Sequence, residues 1–248
     1  MILTIDIGNS AVKVGLWKSD SLIGKYLFET KSLMEDPAAL AKALRSIPSD
    51  GITHAAMCSV VPKLTPAMAS AIGDLFGIEV MKVDGETEAA LRIHYADRTK
   101  LGADRVAAAI GAYSKYGGPC VVCDFGTATT IDLVEADGSF AGGIIAPGIG
   151  MMAELVAEKT AQLVRTEPRK PEKILGDSTS SCIESGIYHS AVGLVEATVM
   201  RLKEESDARL KVIATGGFAS LVAEGTKTID LVDDNLVLEG LRLALPSE

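Results

Sequence analysis

An Asp-x-Gly sequence occurs twice in this chain, each time directly after a short apolar run typical of a β-strand. The first copy, Asp6 to Lys13, follows Ile2 to Ile5. The second copy starts 118 residues later, at Asp124, and follows Cys120 to Cys123. A glycine two residues after an aspartate permits a tight turn in which main-chain N–H groups approach anionic oxygens, and the carboxylate can hold a cation that neutralises them. The pattern predicts two phosphate-binding turns in a duplicated fold, with two ordinary glycine-containing hairpin turns as the alternative.

The composition is that of a globular, acidic protein. The chain has 248 residues, of which 48% are hydrophobic and 23% are charged, enough for one large or two medium domains. Its net charge is -9, it has no run rich in lysine and arginine, and only 4% of its residues are aromatic. These features argue against a nucleic-acid partner, which would need a basic surface or a base-stacking platform. Because the protein as a whole is acidic, we expect a bound anion to be neutralised by a nearby positive side chain, and Lys13 and Arg105 are the candidates.

The N-terminus and the short apolar stretches favour a cytoplasmic protein, and the cysteines favour a buried role. The chain begins with the strand-like Met1 to Ile5 and lacks the features of a signal peptide, and its apolar stretches are too short to cross a bilayer, so we expect no membrane partner. Its cysteines are Cys58, Cys120, Cys123 and Cys182. The Cys120/Cys123 spacing could indicate a redox or metal pair. Because the pair lies in an apolar strand, without a second pair or a histidine cluster, small buried hydrophobes are the better interpretation of the cysteines.

Hydrophobic periodicity divides the chain into two halves, residues 1–117 and 118–248, with the same order of elements. Each half opens with three strands predicted to form an antiparallel meander, and Asp36-Pro37 and Thr65-Pro66 mark helix starts. Residues Arg165 to Asp177 are predicted to form a surface loop. The predicted strands are Ile2–Gly8, Ala11–Trp17, Leu22–Phe28, His54–Val60, Glu79–Val83, Cys120–Gly126, Thr129–Glu135, Phe140–Ile145, Lys211–Thr215 and Thr226–Leu231. The predicted helices run from Asp36 to about Ile47, from Thr65 to Gly77, from Ala103 to Tyr116, from about Gly148, from about Ser180, from Phe218 to Glu224 and from Leu236 to Leu245.

This order of elements predicts an α/β fold of two lobes with mixed sheets and a cleft between them. It resembles the actin-like and sugar-kinase ATPase superfamily, whose lobes are duplicated and ribonuclease H-like. The resemblance implies that the two Asp-x-Gly turns hold the phosphates of ATP from opposite lobes.

Four further motifs make the chain similar to type III pantothenate kinase. They are Gly102-Ala-Asp-Arg105, Gly142-Gly-Ile-Ile-Ala-Pro-Gly148, Asp177-Ser-Thr179 and Leu238-Glu-Gly-Leu241. Each motif alone is weak, whereas all of them in one order are specific. The chain departs from the family at Asp177-Ser178, where the pair more often ends in Asn or Asp, which puts the role of Thr179 in doubt. The resemblance implies an ATP-dependent kinase that converts pantothenate to 4'-phosphopantothenate, the first step toward coenzyme A.

Asp104 is the candidate general base. Phosphoryl transfer needs an aligned hydroxyl, neutralised phosphate charge and an acceptor for the hydroxyl proton. A carboxylate in the first turn of a helix is kept ionised by the helix dipole and can accept that proton. A capping role is the alternative, and the resemblance favours catalysis.

The first turn is the candidate nucleotide-binding segment. Asp6 is predicted to hold Mg²⁺, because Mg²⁺ sites usually combine one or two carboxylates with substrate phosphates. Lys13 would add a positive charge, or it is an ordinary solvated strand residue. The predicted ATP-binding residues are Asp6, Ile7, Gly8, Asn9, Ser10, Ala11, Val12 and Lys13. The resemblance implies that Thr127 also contacts ATP and that Asp124 binds a monovalent cation, K⁺ or NH₄⁺.

The resemblance also implies a pantothenate site and a homodimer. Pantothenate carries a carboxylate, an amide and two hydroxyls, so its pocket needs a cation such as Arg105 and neutral donors such as Tyr95. A half-exposed loop aromatic is the alternative for Tyr95. The apolar region Thr179–Leu202 suits helix packing, either between subunits or in the core. The implied substrate-binding residues are Tyr95, Gly102, Ala103, Asp104, Arg105 and Thr179.

Two other functions stay open. One is a nucleotide-bound transcriptional accessory factor, and the other is a kinase or phosphatase of another small molecule, such as a sugar or exopolyphosphate. The presence of Asp104 argues against a purely regulatory role, and Arg105 suits an acceptor that carries a carboxylate.

Overall fold

The computed structural model describes residues 1–48, 50–87, 91–159, 166–205 and 208–246. The chain forms two compact units: unit 1 is Met1–Lys115 with Asn235–Glu248, and unit 2 is Tyr116–Asp234. The strands are β1 Ile2–Ile7, β2 Ala11–Lys18, β3 Ser21–Glu29, β4 His54–Ser59, β5 Val80–Lys82, β6 Arg92–Ile93, β7 Cys120–Phe125, β8 Ala128–Val134, β9 Ser139–Pro147, β10 Lys211–Thr215 and β11 Leu231–Val232. The helices are α1 Thr30–Glu35, α2 Pro37–Arg45, α3 Thr65–Phe76, α4 Ala103–Tyr116, α5 Ile149–Lys159, α6 Thr179–Glu205, α7 Ala219–Ala223 and α8 Leu236–Ala244, with a 3-10 turn at Arg98–Lys100. Within the described ranges, none of these helices is long and apolar enough to span a membrane.

Unit 1 contains a mixed sheet with β1 at its centre. Its strand order is β3-β2-β1-β4-β5. Strands β1, β2 and β3 are antiparallel neighbours, which confirms the predicted meander, whereas β4 and β5 run parallel on the other side of β1. The apolar residues of β1 and β2 pack against α1, α2 and α3, with Leu33, Leu44 and Ile72 buried in the same core.

Unit 2 repeats this topology. Its strands follow the order β9-β8-β7-β10-β11. Strands β7, β8 and β9 are antiparallel, and β10 and β11 are parallel to β7. Strands β7 to β11 therefore correspond one by one to β1 to β5, as the repeated motif predicted. The core of this unit combines Phe125 and Ile131 with apolar residues of α5, α6 and α7.

Helix α8 packs on unit 1 although it follows unit 2 in sequence. It contacts β1, β2 and β4, and it crosses α4 closely, because a Cβ added at Gly240 would overlap the carbonyl oxygen of Ala107. A Cβ added at Gly111 would likewise overlap the carbonyl oxygen of Leu236. The sequence predicts a single lobe from 118 to 248, which would include this helix. The structure differs, since hydrophobic periodicity identifies the apolar face of a helix but not the sheet that covers it.

Two local predictions also differ from the structure. Most of the predicted strand Thr226–Leu231 is irregular, because Thr226 Oγ1 donates to Glu196 and accepts from the N–H of Thr228 instead of leaving the segment to a β-ladder. Helix α3 is preceded by Leu64, and Thr65 is its first residue rather than its cap. Helix α1, β6 and the 3-10 turn were not predicted. In the predicted loop, residues 166–177 contain neither helix nor strand, and Arg165 lies outside the described residues.

The close crossing of α4 and α8 generates a test of the fold. We expect Gly240→Ala to lower the free energy of unfolding by about 1–3 kcal/mol, because the new methyl group must push the two helices apart. Denaturant unfolding of the purified protein measures the change.

Gly193→Ala is the matched control. Gly193 lies on the exposed face of α6, and no described heavy atom lies within 4 Å of an added Cβ. Alanine is the better helix former, so this variant should gain about 0.5–1 kcal/mol. Equal effects of the two substitutions would contradict the close helix crossing.

Candidate active site

The first Asp-x-Gly turn lies at the end of β1, the central strand of unit 1. The register places Lys13 of β2 and Cys58 of β4 directly opposite Asp6, so the three side chains share one face of the sheet. Lys13 Nζ lies 3.3 Å from Asp6 Oδ2, and Cys58 Sγ lies 3.6 Å from Asp6 Oδ1. The Asp6 side chain is only 7% exposed. Its two oxygens therefore face an ammonium group on one side and a thiol on the other.

The predicted nucleotide-binding segment divides into turn residues and core residues. The N–H of Gly8 donates to the carbonyl of Ala11 at 3.0 Å, which closes the turn. Asn9 and Ser10 are exposed at its tip. Ile7 and Val12 are fully buried in the core of unit 1, so only their main chains could meet a ligand. The alternation of a strand explains this division, since successive side chains point to opposite faces.

Asp104 lies in the first turn of α4, which begins where the N–H of Val106 donates to the carbonyl of Gly102. Its Oδ1 accepts the N–H of Arg105 at 2.9 Å. Burial and then the negative charge of Asp6 raise the pKa of Asp104, while the Arg105 N–H and guanidinium oppose the shift. Burial, followed by the charges of Asp6 and Asp104, also raises the pKa of the Cys58 thiol well above its ordinary value. The structure thus places the predicted base and the predicted Mg²⁺ ligand in one electrostatic neighbourhood.

Arg105 and Tyr95, both predicted to bind substrate, lie together. The guanidinium carbon of Arg105 is 5.8 Å from the centre of the Tyr95 ring, a cation–π distance. Arg105 is 6% exposed, and Tyr95 is half-buried. A buried arginine oriented by an aromatic ring is suited to bind a carboxylate.

The second Asp-x-Gly turn lies at the same place in unit 2, at the end of β7. Here the N–H of Gly126 donates to the carbonyl of Ala128 at 3.1 Å, so this turn is shorter than the first. Thr130 and Thr215 lie opposite Asp124 on the neighbouring strands. Hydroxyl and carboxylate oxygens are the ligand type that hard cations prefer, so this donor set fits a monovalent cation. Thr127 is exposed.

Glycines allow the main chain to approach this second turn closely. A Cβ added at Gly216, whose φ is +95°, would overlap Asp124 Oδ1. A Cβ added at Gly148 would overlap the carbonyl oxygens of Gly126 and Thr127. Larger residues at these two positions would therefore displace the turn.

Thr179 is the first residue of α6 and is exposed. It belongs to unit 2, whereas Tyr95 and Gly102 to Arg105 belong to unit 1. Ser178, where the chain departs from the family pattern, accepts the N–H of Ser181 on its hydroxyl at 3.2 Å. Ser178 therefore caps the start of α6, a task for which serine is well suited.

Two residues that contact the first turn carry no functional signal in the sequence. Cys58 was interpreted only as a small buried hydrophobe, and Thr30 was not singled out, although its hydroxyl donates to the carbonyl of Gly8 at 2.7 Å. The Cys58 contact depends on the parallel pairing of β1 with β4, which no local pattern encodes, and the Thr30 contact depends on the path of the chain after the predicted β2–β3 pairing. The burial predicted for the cysteines is confirmed for Cys58, Cys120 and Cys123 but is wrong for Cys182, which is exposed.

The acidic groups of the site in unit 1 fit a metal ion that takes most of its ligands from the substrate and from water rather than from the protein. In the described part of the chain, no three His, Cys, Asp or Glu side chains are grouped so that they could hold a metal ion. Mg²⁺ usually needs only one or two protein carboxylates, because phosphates and water supply the other ligands. Burial and then the negative charge of Asp6 raise the pKa of Asp104, and a divalent cation bound beside Asp6 would offset the second of these two effects.

Comparison with known proteins decides the family. The family model for type III pantothenate kinase matches residues 2–201. The chain belongs to the type III pantothenate kinase family. A relative named type III pantothenate kinase from Roseiflexus sp. strain RS-1 is 38% identical over 248 residues, covering 98% of this chain and 97% of the relative. Another from Dehalococcoides mccartyi strain 195 is 34% identical over 247 residues, covering 98% and 96%.

Solved structures show the same fold at low identity. A Campylobacter jejuni protein described as belonging to the Baf family of transcriptional activators has a TM-score of 0.63 and 20% identity, with 97% of this chain and 95% of that chain covered. A Sinorhizobium meliloti protein described as a 2-dehydro-3-deoxygalactonokinase has a TM-score of 0.60 and 13% identity, with 98% and 95% covered. The predicted fold class, that of the actin-like and sugar-kinase ATPases, is confirmed.

Membership of this family makes the chain an enzyme, a kinase. ATP-dependent phosphorylation of pantothenate in coenzyme A biosynthesis is the reaction of the family, and a kinase reaction of this type uses ATP with a divalent metal.

The burial of the cysteines predicts their reactivity. The thiolate is the reactive form, and burial raises the pKa of Cys58 and Cys123 and raises that of Cys120 to about 11. At pH 8 we expect iodoacetamide to modify the exposed Cys182 in the native protein and to leave the other three cysteines unmodified, as measured by peptide mass spectrometry. Unfolding in urea should expose all four cysteines to the reagent. Modification of native Cys58 as fast as Cys182 would contradict the structure of the first turn.

Proposed function

We propose that Asp104 is the general base of pantothenate phosphorylation by this chain. In this reaction the pantothenate hydroxyl oxygen bonds to the γ-phosphorus of ATP, the bond from that phosphorus to the bridging oxygen breaks, and ADP leaves. The hydroxyl proton is transferred to Asp104. The observation that carries this role is the half-buried position of Asp104 at the start of α4, with its pKa raised by burial and by Asp6.

The environment of Asp104 suits proton transfer in two ways. A raised pKa makes the carboxylate a better proton acceptor, because the best base has a pKa near the working pH. The N–H of Arg105 holds Oδ1, so we assign Oδ2 as the atom that receives the proton.

The first turn binds the phosphate end of ATP in this proposal. Asp6 would hold Mg²⁺ directly or through water, and the bound ion would neutralise phosphate charge. Lys13 is supported in this site by its ion pair with Asp6, which keeps a positive charge beside the turn. Asn9 and Ser10 offer hydrogen-bond donors at the exposed tip, and Thr127 contacts ATP from the second turn.

Arg105 and Tyr95 bind pantothenate in this proposal. The guanidinium of Arg105 pairs with the substrate carboxylate, and the Tyr95 ring fixes its orientation. Gly102, Ala103 and Thr179 complete the substrate contacts.

Asp124 binds K⁺ or NH₄⁺ in this proposal, which is supported by the two hydroxyl-bearing residues, Thr130 and Thr215, that lie opposite it on the neighbouring strands. A homodimer is supported by apolar exposure on unit 2, where Leu155 is 47% and Met200 is 56% exposed.

A cytoplasmic location is supported by the four free thiols. The net charge of -9 argues against a nucleic-acid partner.

Asp104→Asn tests the base. We expect its kcat to fall by about 10²- to 10⁴-fold, because the amide cannot accept the hydroxyl proton. Coupled detection of ADP release with pantothenate and ATP measures this loss. Asp74→Asn on the exposed face of α3 is the matched control and should keep wild-type turnover.

The same variant, Asp104→Asn, should lose turnover without losing stability. A carboxyl whose pKa is raised on folding reduces the free energy of unfolding as the pH rises from its ordinary pKa through the raised one. The neutral amide removes this effect, so Asp104→Asn should be at least as stable as wild type at pH 7 in thermal unfolding. Low activity together with a lowered melting temperature would indicate a damaged fold rather than a missing base.

The cation site predicts a dependence on monovalent ions. We expect turnover with K⁺ or NH₄⁺ to exceed turnover with Na⁺ at equal ionic strength, and Asp124→Asn to remove this difference. The comparison requires wild type and variant in buffers that differ only in the monovalent cation. Equal rates of wild type in all three salts would refute the role of Asp124.

A further inference from the structure

Thr30 is tied to the first Asp-x-Gly turn by two hydrogen bonds. Its hydroxyl donates to the carbonyl oxygen of Gly8 at 2.7 Å, and its N–H donates to the carbonyl oxygen of Ser10 at 3.2 Å. Thr30 is 1% exposed. Water therefore cannot readily replace its hydroxyl, and removing the hydroxyl would leave a carbonyl of the turn without this donor.

The fold explains how a residue so far along the chain reaches this turn. Strand β3 pairs with β2 so that Glu29, its last residue, lies opposite Ala11, the first residue of β2. Thr30 follows directly and begins α1. The end of β3 therefore lies next to the turn that joins β1 and β2.

Peptide geometry converts the Thr30 contact into a constraint on a neighbouring amide. The carbonyl of Gly8 and the N–H of Asn9 belong to one planar peptide unit, and in a trans peptide the two groups point in opposite directions. The hydrogen bond from the Thr30 hydroxyl keeps the Gly8 carbonyl pointing toward Thr30. The N–H of Asn9 must then point to the other side of the turn, and Asn9 itself is exposed at the tip.

We infer that Thr30 is a positioning residue that directs the Asn9 amide toward the phosphates of ATP. Thr30 does not touch the nucleotide; it fixes the peptide plane that offers one of the donors. The inference rests on the proposed function, in which this turn binds the phosphates. A fixed donor loses less conformational entropy on binding than a mobile one, so the expected readout is nucleotide affinity.

Thr30→Val tests this inference because valine keeps the shape of threonine and removes the hydroxyl. We expect the KM for ATP to rise about tenfold, which corresponds to about 1.4 kcal/mol, while the KM for pantothenate stays within twofold of wild type. Thr30→Ser retains a hydroxyl and should restore the KM for ATP to within about threefold. Steady-state kinetics on the full chain gives both constants.

Thr4→Val is the matched control for the loss of a buried hydroxyl. Thr4 is fully buried on β1, and its hydroxyl accepts the indole N–H of Trp17 at 2.8 Å and donates to the carbonyl of Gly15 at 3.4 Å, so it bonds to β2 and not to the carbonyls of Gly8 and Ser10. A purely structural effect would lower the melting temperature of both variants and leave both KM values unchanged. A tenfold rise in the KM for ATP in Thr30→Val but not in Thr4→Val supports the positioning role, and an unchanged KM for ATP in Thr30→Val overturns it.

A binding measurement keeps the inference independent of turnover. The rise in melting temperature with increasing ATP reports affinity directly, and Thr30→Val should need about ten times more ATP than wild type for the same rise. Thr30→Ala, which removes the hydroxyl without forcing a branched side chain into the site, should show the same shift if Thr30→Val does not fold. A wild type that binds ATP but does not phosphorylate pantothenate would contradict the proposed function and leave this comparison to decide the role of Thr30.

Discussion

The buried carboxylate of Asp6 is the group on which unit 1 depends. A buried charge destabilises a protein unless it is paired and hydrogen-bonded. Lys13 and Cys58 meet this requirement from the two neighbouring strands. A slip of one residue in either pairing would turn these side chains to the opposite face of the sheet. Burial and then this same charge raise the pKa of Asp104, so the Asp6 carboxylate also contributes to the acid–base character of the site.

Local patterns were sufficient to predict most elements and the two turns. Alternation identified β1, β2 and β3 almost to the residue, and Gly77 was recognised as the residue that stops α3, where the structure shows a left-handed conformation with φ +69°. Contacts between distant segments could not be predicted in this way. The parallel pairing of β1 with β4 brings Cys58 to Asp6, and the end of β3 brings Thr30 to Gly8. The pairing of β1 with β4 leaves no periodic signal in the sequence, because it depends on which strands become neighbours. The pairing of β3 with β2 was predicted, but the path of the chain after β3, which brings Thr30 to Gly8, was not.

The two units share a topology, but their turns differ in chemistry. In unit 1 the strand neighbours of the aspartate are a lysine and a cysteine, and in unit 2 they are two threonines. The first environment supplies a positive charge, which suits the binding of an anion. The second supplies uncharged oxygens around a carboxylate, which suits the binding of a cation. The two units therefore keep the aspartate at the same place in the sheet and differ in the side chains that lie beside it.

The return of α8 to unit 1 has a consequence for biosynthesis. Unit 2 is continuous in sequence, whereas unit 1 consists of Met1–Lys115 and Asn235–Glu248. A ribosome therefore releases every residue of unit 2 before it releases the helix that covers β1 and β4. Domains generally fold as units while they emerge, so the half that is made first is the half that is finished last. Until α8 emerges, the apolar surface of β1 that it covers is open to chaperones and to wrong partners.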